Sequence, residues 1–259
     1  MGIRVLGPVG IDGAERLSPR DRAVLGALVV ERAAIVSPER IAEALWGEAL
    51  PASWRKVVQS SIVRLRQKLG PQAIETTSSG YRLTLGADEV DAWSYEQLLD
   101  HAHTLAELGE VERAGYTLDQ ALALWHGEPL VDLDGWAPAA AEAIRLQELH
   151  RLGEERRADT LLAGAQHERL IPIARSLIAA EPLRERRWEL LALALYRSGR
   201  QAEALRAIAD ARRLLRDELG IEPTTELLAL EQDILDQSPS IAAPTAPRLV
   251  PTDVCPYKG

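Results

Sequence analysis

"SWRKVVQSSIVRLRQKL" (residues 53–69) carries five positive charges, Arg55, Lys56, Arg64, Arg66 and Lys68, and no negative one. The whole chain of 259 residues holds 30 basic and 39 acidic side chains, a formal net charge of −9. An acid-free run of helix length in an acidic protein has two readings. It is an ordinary solvated amphipathic helix, or a surface shaped to lie against a polyanion. At the α-helical period, Trp54, Val58, Ile62, Leu65 and Leu69 share one apolar stripe. Opposite them lie Lys56, Ser60, Val63, Arg64 and Gln67; Arg55, Gln59 and Arg66 flank one side of the stripe, Ser61 and Lys68 the other. A solvated helix usually mixes Glu with Lys or Arg, because i,i+4 pairs add about 0.2–0.5 kcal/mol each. Here that option is unused. A DNA major groove asks for what the segment offers: cations for phosphates, small residues for close approach, and amide or guanidinium groups for base edges. Gln suits adenine, Arg suits guanine, and Val63 suits a thymine methyl.

The flanking sequence supplies a scaffold for such a helix. Upstream, "SPRDRAVLGALVVERA" begins at Ser18 with Pro19 at the first helical position, and "SPERIAEALWG" repeats that signal with Ser37, Pro38 and a closing Gly47. The start, "IRVLGPVGI", predicts one or two short strands. Downstream of Gly70-Pro71, "IETTSSGYRLTL" alternates β-branched and polar residues around Ser-Ser-Gly, a hairpin signature. Strands, three helices and a hairpin over residues 1–87 predict a winged helix-turn-helix domain.

From "DEVDAWSYEQLLDHA" onward the pattern is helix after helix, with segments near 91–108, 110–125, 137–164, 166–180, 182–198, 200–218 and 223–236. "ALYRSGRQAEALRAIADARRLL" pairs a small-residue helix with an amphipathic one across a Gly turn, the logic of tetratricopeptide-like repeats, although no clean 34-residue period is present. Residues 88–237 are therefore expected to form an all-α helical repeat domain. Residues 238–259 hold five prolines and read as an extended linker. The predicted fold class is mostly α with a small β component. Charge follows the same division: residues 1–87 hold 12 basic and 8 acidic side chains, and residues 88–259 hold 18 and 31. Opposite signs in the two parts suggest a different partner for each.

Several stretches together resemble the Streptomyces antibiotic regulatory protein (SARP) family of transcription activators. They are "LGPVGI", the Ser18–Gly47 region, "SIVRLRQKLG", "SSGYRLTL", "EVDAWSYEQLL", "ALALWHGEPLVDL" and "PLRERRWELLALALYRSGRQAEALRAIADARRLLRDELGIEP", within about residues 3 to 237. The resemblance implies an OmpR-type winged-helix DNA-binding domain (1–87) followed by a bacterial transcriptional activation domain (88–237). It implies binding to direct repeats in promoter DNA, two copies side by side, and recruitment of RNA polymerase through its sigma and alpha subunits, with antibiotic or other secondary-metabolite genes as targets. Carried onto this chain, Lys56, Gln59, Ser60 and Arg64 face bases or nearby phosphates, with Arg55 and Val63 on the same surface. Arg66 and Lys68 clamp phosphates. In the wing, Thr77 stands where relatives often carry an Arg that enters the minor groove, and Arg82 is the substitute that could reach a phosphate. The last five residues, "CPYKG", resemble the opening of a STAND-type NTPase domain, which follows the activation domain in larger SARP regulators. That likeness implies a longer natural protein.

Other classes receive little support. No GxxxxGK[ST] loop, HExxH or Gly-x-Ser-x-Gly motif occurs, the five histidines are not spaced as ligands, and Cys255 stands alone in the tail, so no enzyme, metal or cofactor is expected. No apolar run reaches the ~18–20 residues that cross a bilayer, and "MGIRVLGPVG" lacks a signal-peptide core, so a cytoplasmic location is expected. The alternative function is a helical-repeat interaction scaffold, the sensor front of a larger STAND ATPase, with weak or non-specific DNA binding.

Overall fold

Two serines set the first two helices of the computed structural model, which describes residues 2–242. The Pro-rich stretch from residue 243 on, with Cys255 and "CPYKG", lies outside the described residues. Helices α1 (Pro19–Val30) and α2 (Pro38–Trp46) each start with Pro at a position whose N–H has no helical partner. Ser18 Oγ accepts from the Asp21 N–H (3.2 Å) and Ser37 Oγ from the Arg40 N–H (3.1 Å). Helix α3 (Trp54–Leu69) closes at Gly70, whose N–H donates to Arg66 O. The hairpin follows as β3 (Ile74–Thr76) and β4 (Tyr81–Leu83), antiparallel, with Ile74 opposite Leu83 and Thr76 opposite Tyr81. The N-terminal segment forms a second antiparallel pair, β1 (Ile3–Arg4) with β2 (Gly10–Ile11), which in sequence order precedes α1.

On the inner side of α3, Val58, Ile62 and Leu65 are almost fully buried. Leu25, Leu28, Ile41, Ile74 and Leu83 share their cluster. Each such side chain removed from water contributes about 1.5–3 kcal/mol, which fixes which face of α3 is left outside. The hairpin is tied to the α1–α2 connection by a reciprocal backbone bridge between Val36 and Tyr81 (2.8 and 2.9 Å). Gly80 permits it: its φ is +156°, and a Cβ there would lie 2.1 Å from Val36 O.

Helices α4 (Asp91–Glu107), α5 (Val111–Leu122) and α6 (Ala137–Ala163) follow. Packing divides the chain into two units between Arg157 and Ala158, within α6, so the first unit holds both the winged-helix elements and the helices up to Arg157. Carboxylates explain the join inside that unit. Asp91 accepts from the N–H groups of Val5 (2.8 and 3.0 Å) and Leu6 (3.0 Å), and Asp132 accepts from Val9 N–H (2.7 Å) and the Arg22 guanidinium. Arg32, after α1, pairs with Glu96 of α4 and Glu142 of α6, and Arg145 pairs with the same two acids. Trp136 is buried in the same core, and Tyr95 meets Trp125 edge-on at 5.7 Å.

In the second unit, α7 (His167–Ala180) packs on α8 (Glu185–Arg197), α8 on α9 (Gln201–Leu219), and α10 (Thr225–Leu235) on both α8 and α9. Ala174, Ala192, Ala194, Ala204 and Ala211 are buried at these contacts, where small side chains let helices approach closely. Gly199, at φ +76°, makes the turn in "SGR". The buried Arg187 donates to Leu177 O (2.6 Å). The protein is thus mostly α with a small β component, a winged helix followed by a helical domain. Among the described residues no helix is long and apolar enough to cross a membrane.

Candidate nucleic-acid interface

The outer face of α3 sorts into residues that the protein itself engages and residues that it leaves open. Lys56, Gln59, Ser60, Val63 and Gln67 are exposed, Val63 by 53%. Their spacing of three or four residues places them along one stripe. None of the four polar members makes a side-chain hydrogen bond or ion pair with another described residue. The stripe is thus an exposed valine flanked by polar groups without partners among the described residues, on a helix that carries no carboxylate. Of the residues expected from the sequence to face DNA, Lys56, Gln59, Ser60 and Val63 occupy this stripe.

The arginines behave differently. Arg64 Nε and Nη2 donate to the two carboxylate oxygens of Asp21 (3.0 and 2.7 Å), and Nη2 also donates to Ser61 Oγ (2.9 Å). Asp21 lies in the first turn of α1, with its side chain only 5% exposed, and also accepts from Ser18 Oγ (2.8 Å). Burial pushes its carboxyl up, but hydrogen bonds from Arg64, Ser61 and Ser18 outweigh that and hold it below the ordinary value. The same pair raises the Arg64 guanidinium further. Arg64 thus ties α3 to the start of α1.

Arg66 points to the hairpin. Its Nε and Nη2 donate to Ile74 O (2.8 and 2.6 Å) and its Nη2 to Thr76 Oγ1 (2.7 Å), which pins β3 against α3. Lys68 is half-buried and has no partner among the described residues. Arg55 lies over the Trp54 ring at 5.0 Å and pairs with Glu39 of α2 at 3.1 Å. Both members of that ion pair are well exposed, so it is weak and readily exchanged for a phosphate.

At the wing tip, Thr77 N–H and Oγ1 both donate to Gly80 O (2.8 and 3.1 Å), and Thr77 Oγ1 accepts from Ser79 N–H (3.3 Å). Thr77 thus closes the turn. Arg82 pairs with Glu75 across the hairpin. Two cations that the sequence reading passed over also belong to this region. Arg16 and Arg20 flank the Ser18 cap, are exposed, and have no partner among the described residues. The available signal was their place beside a helix start, but only the Asp21–Arg64 contact shows that this start adjoins α3. Among the described residues no group of three His, Cys, Asp or Glu side chains could hold a metal ion.

With this geometry in view, comparison with known proteins gives two family matches. Residues 12–83 match the model of the C-terminal domain of transcriptional regulatory proteins, and residues 90–235 match the bacterial transcriptional activator domain. The regulatory protein AfsR of Streptomyces coelicolor is 39% identical over 92% of this chain, which spans 24% of AfsR's length. The regulatory protein DnrI of Streptomyces peucetius is 32% identical, with 93% of this chain and 94% of DnrI covered. The structure of Mycobacterium tuberculosis EmbR in complex with a low-affinity phosphopeptide aligns with a TM-score of 0.85 at 31% identity, covering 92% of this chain and 65% of that one.

Proposed function

From the premise that this chain belongs to the SARP family of bacterial transcription regulators, we propose that it is a sequence-specific DNA-binding activator. It binds direct repeats in promoters with α3 in the major groove and recruits RNA polymerase through the sigma and alpha subunits. The genes it controls are those of a secondary metabolite such as an antibiotic. Within it, residues 1–87 are the DNA-binding module and residues 88–237 the activation module.

One observation carries this reading. The stripe Lys56, Gln59, Ser60, Val63 and Gln67 lies on the outer side of a helix whose inner side buries Val58, Ile62 and Leu65. Its polar groups match base edges and phosphates, and the protein offers them nothing. Lys68, Arg16 and Arg20 add unpartnered cations for the backbone, while Arg55 and Arg82 can trade their exposed carboxylates for phosphates. Direct repeats place two copies head to tail on one face of the duplex, about one helical turn (~10–11 bp) apart.

The test is fluorescence anisotropy with duplexes from promoters near the gene. Log affinity should fall linearly with log salt, at a slope of about −0.9 per phosphate neutralised. Gln59→Ala and Val63→Ala should narrow the gap between a target and a scrambled duplex. Binding that is weak, salt-sensitive and blind to sequence would instead support a helical-repeat interaction scaffold.

A further inference from the structure

A guanidinium has five N–H donors, two on each terminal nitrogen and one on Nε. Bidentate reading of guanine O6 and N7 needs two of them in parallel, either along the Nε/Nη2 edge or along the Nη1/Nη2 edge. In Arg64, Asp21 takes the Nε donor and one Nη2 donor, and Ser61 Oγ takes the other Nη2 donor. Both edges are therefore broken. The Nη1 donors alone stay open, enough for a single bond to a phosphate.

Resting on the DNA-binding reading above, we infer that Asp21 is a specificity-determining residue: by locking Arg64 it removes the guanine reader from the middle of α3 and leaves base recognition to an adenine- and thymine-matched stripe. In that stripe Gln59 and Gln67 carry amides that pair bidentately with adenine, and Val63 presents an apolar surface to a thymine methyl. The lock is durable because its carboxylate is buried. The Asp21 side chain is 5% exposed, and its remaining hydrogen bonds come from Ser18 of the α1 cap and Ser61 of α3, so turning away from Arg64 would leave a buried charge without its ion-pair partner. Arg64 itself is 44% exposed, so the lock, rather than distance from the surface, keeps it out of base contact. Asp21 touches no base. It is a positioning residue that acts through Arg64.

The experiment is selection from a random duplex pool with the wild-type chain and the variants R64A, D21A and D21A/R64A, each checked for folding by circular dichroism. Wild type and R64A should enrich the same bases. D21A should add a guanine preference in each half-site, about 5- to 150-fold, the discrimination a good bidentate pair supplies. D21A/R64A should lose that preference again. The inference is overturned if R64A loses a guanine preference that wild type has, or if folded D21A selects as wild type does. Should D21A not fold, the wild-type and R64A arms decide alone. Should R64A not fold, Arg64→Lys replaces it with the same expectation, because Lys keeps a cation beside Asp21 without a guanidinium edge. Failure of wild type to enrich any sequence would sink the DNA-binding reading itself, an outcome distinct from the other two.

Discussion

Replacing Gly80 with Ala tests whether the wing and the reading helix hold each other in place. A Cβ at residue 80 would sit 2.1 Å from Val36 O, 2.7 Å from Val36 C and 3.0 Å from Ser37 Cα, all backbone atoms that cannot rotate aside. Relief requires the hairpin to move about 1 Å from the α1–α2 connection, which loosens the two Val36–Tyr81 hydrogen bonds, worth about 0.5–1.5 kcal/mol each. Holding a non-glycine residue at φ +156° adds about 1–3 kcal/mol. The sum is about 2–6 kcal/mol, a large share of a typical domain stability of about 5–15 kcal/mol. Because two packed units need not unfold together, the readout is hydrogen exchange of the residue 74–83 amides during a urea titration. Gly13→Ala is the control, since its φ is +70° but nothing lies within 4 Å of the added methyl. It should cost only the backbone strain. A Gly80→Ala loss no larger than that of Gly13→Ala would refute the steric argument.

Further outcomes follow from other contacts. Asp91→Ala strands the N–H groups of the buried Val5 and Leu6, so it should cost about 2–5 kcal/mol and release the N-terminal strands to proteolysis, read by limited digestion. The Asp21 carboxyl is held below its ordinary value in the folded state, so its contribution is fully present above the unfolded value and is lost as pH falls through the folded one. Wild type should therefore lose more stability than Asp21→Asn below about pH 4 in paired urea melts. Lys56→Ala should reduce the salt slope of DNA binding by about one unit with little change in sequence preference, as expected for a phosphate contact. Arg66→Ala frees β3 from α3 and should speed hydrogen exchange at residues 74–76 and weaken DNA binding together.

Much of this structure could be read along the chain because its signals are local. Ser18-Pro19 and Ser37-Pro38 start helices where they stand, Gly47 and Gly70 stop them, and the β-branched run around Ser78-Ser79-Gly80 turns back on itself. The helical period likewise placed Val58, Ile62 and Leu65 inside and Lys56, Ser60 and Val63 outside. The arginines were not legible in that way. A wheel gives the direction of Cα–Cβ, but a long side chain bends toward whatever carboxylate or carbonyl tertiary packing supplies. Arg64 found Asp21, 43 residues earlier, and Arg66 found the carbonyl of Ile74, which comes within reach only once the hairpin has docked. Asp91 and Asp132, which hold backbone N–H groups 85 to 123 residues away, were equally hidden, since nothing near them in the chain marks their partners.

The account stands on the outer stripe of α3 being the surface that DNA covers. A cysteine at Ser60, in a Cys255→Ser background, puts one thiol at the centre of that stripe, where the side chain is exposed and has no hydrogen-bond partner among the described residues. Its rate of reaction with a maleimide, measured with and without a selected promoter duplex at saturating concentration, is the most direct measurement. The rate should fall by more than an order of magnitude on the duplex and stay unchanged with a scrambled one. An equal rate with the bound target duplex would mean that α3 faces water in the complex, and the assignment of the reading surface would be wrong.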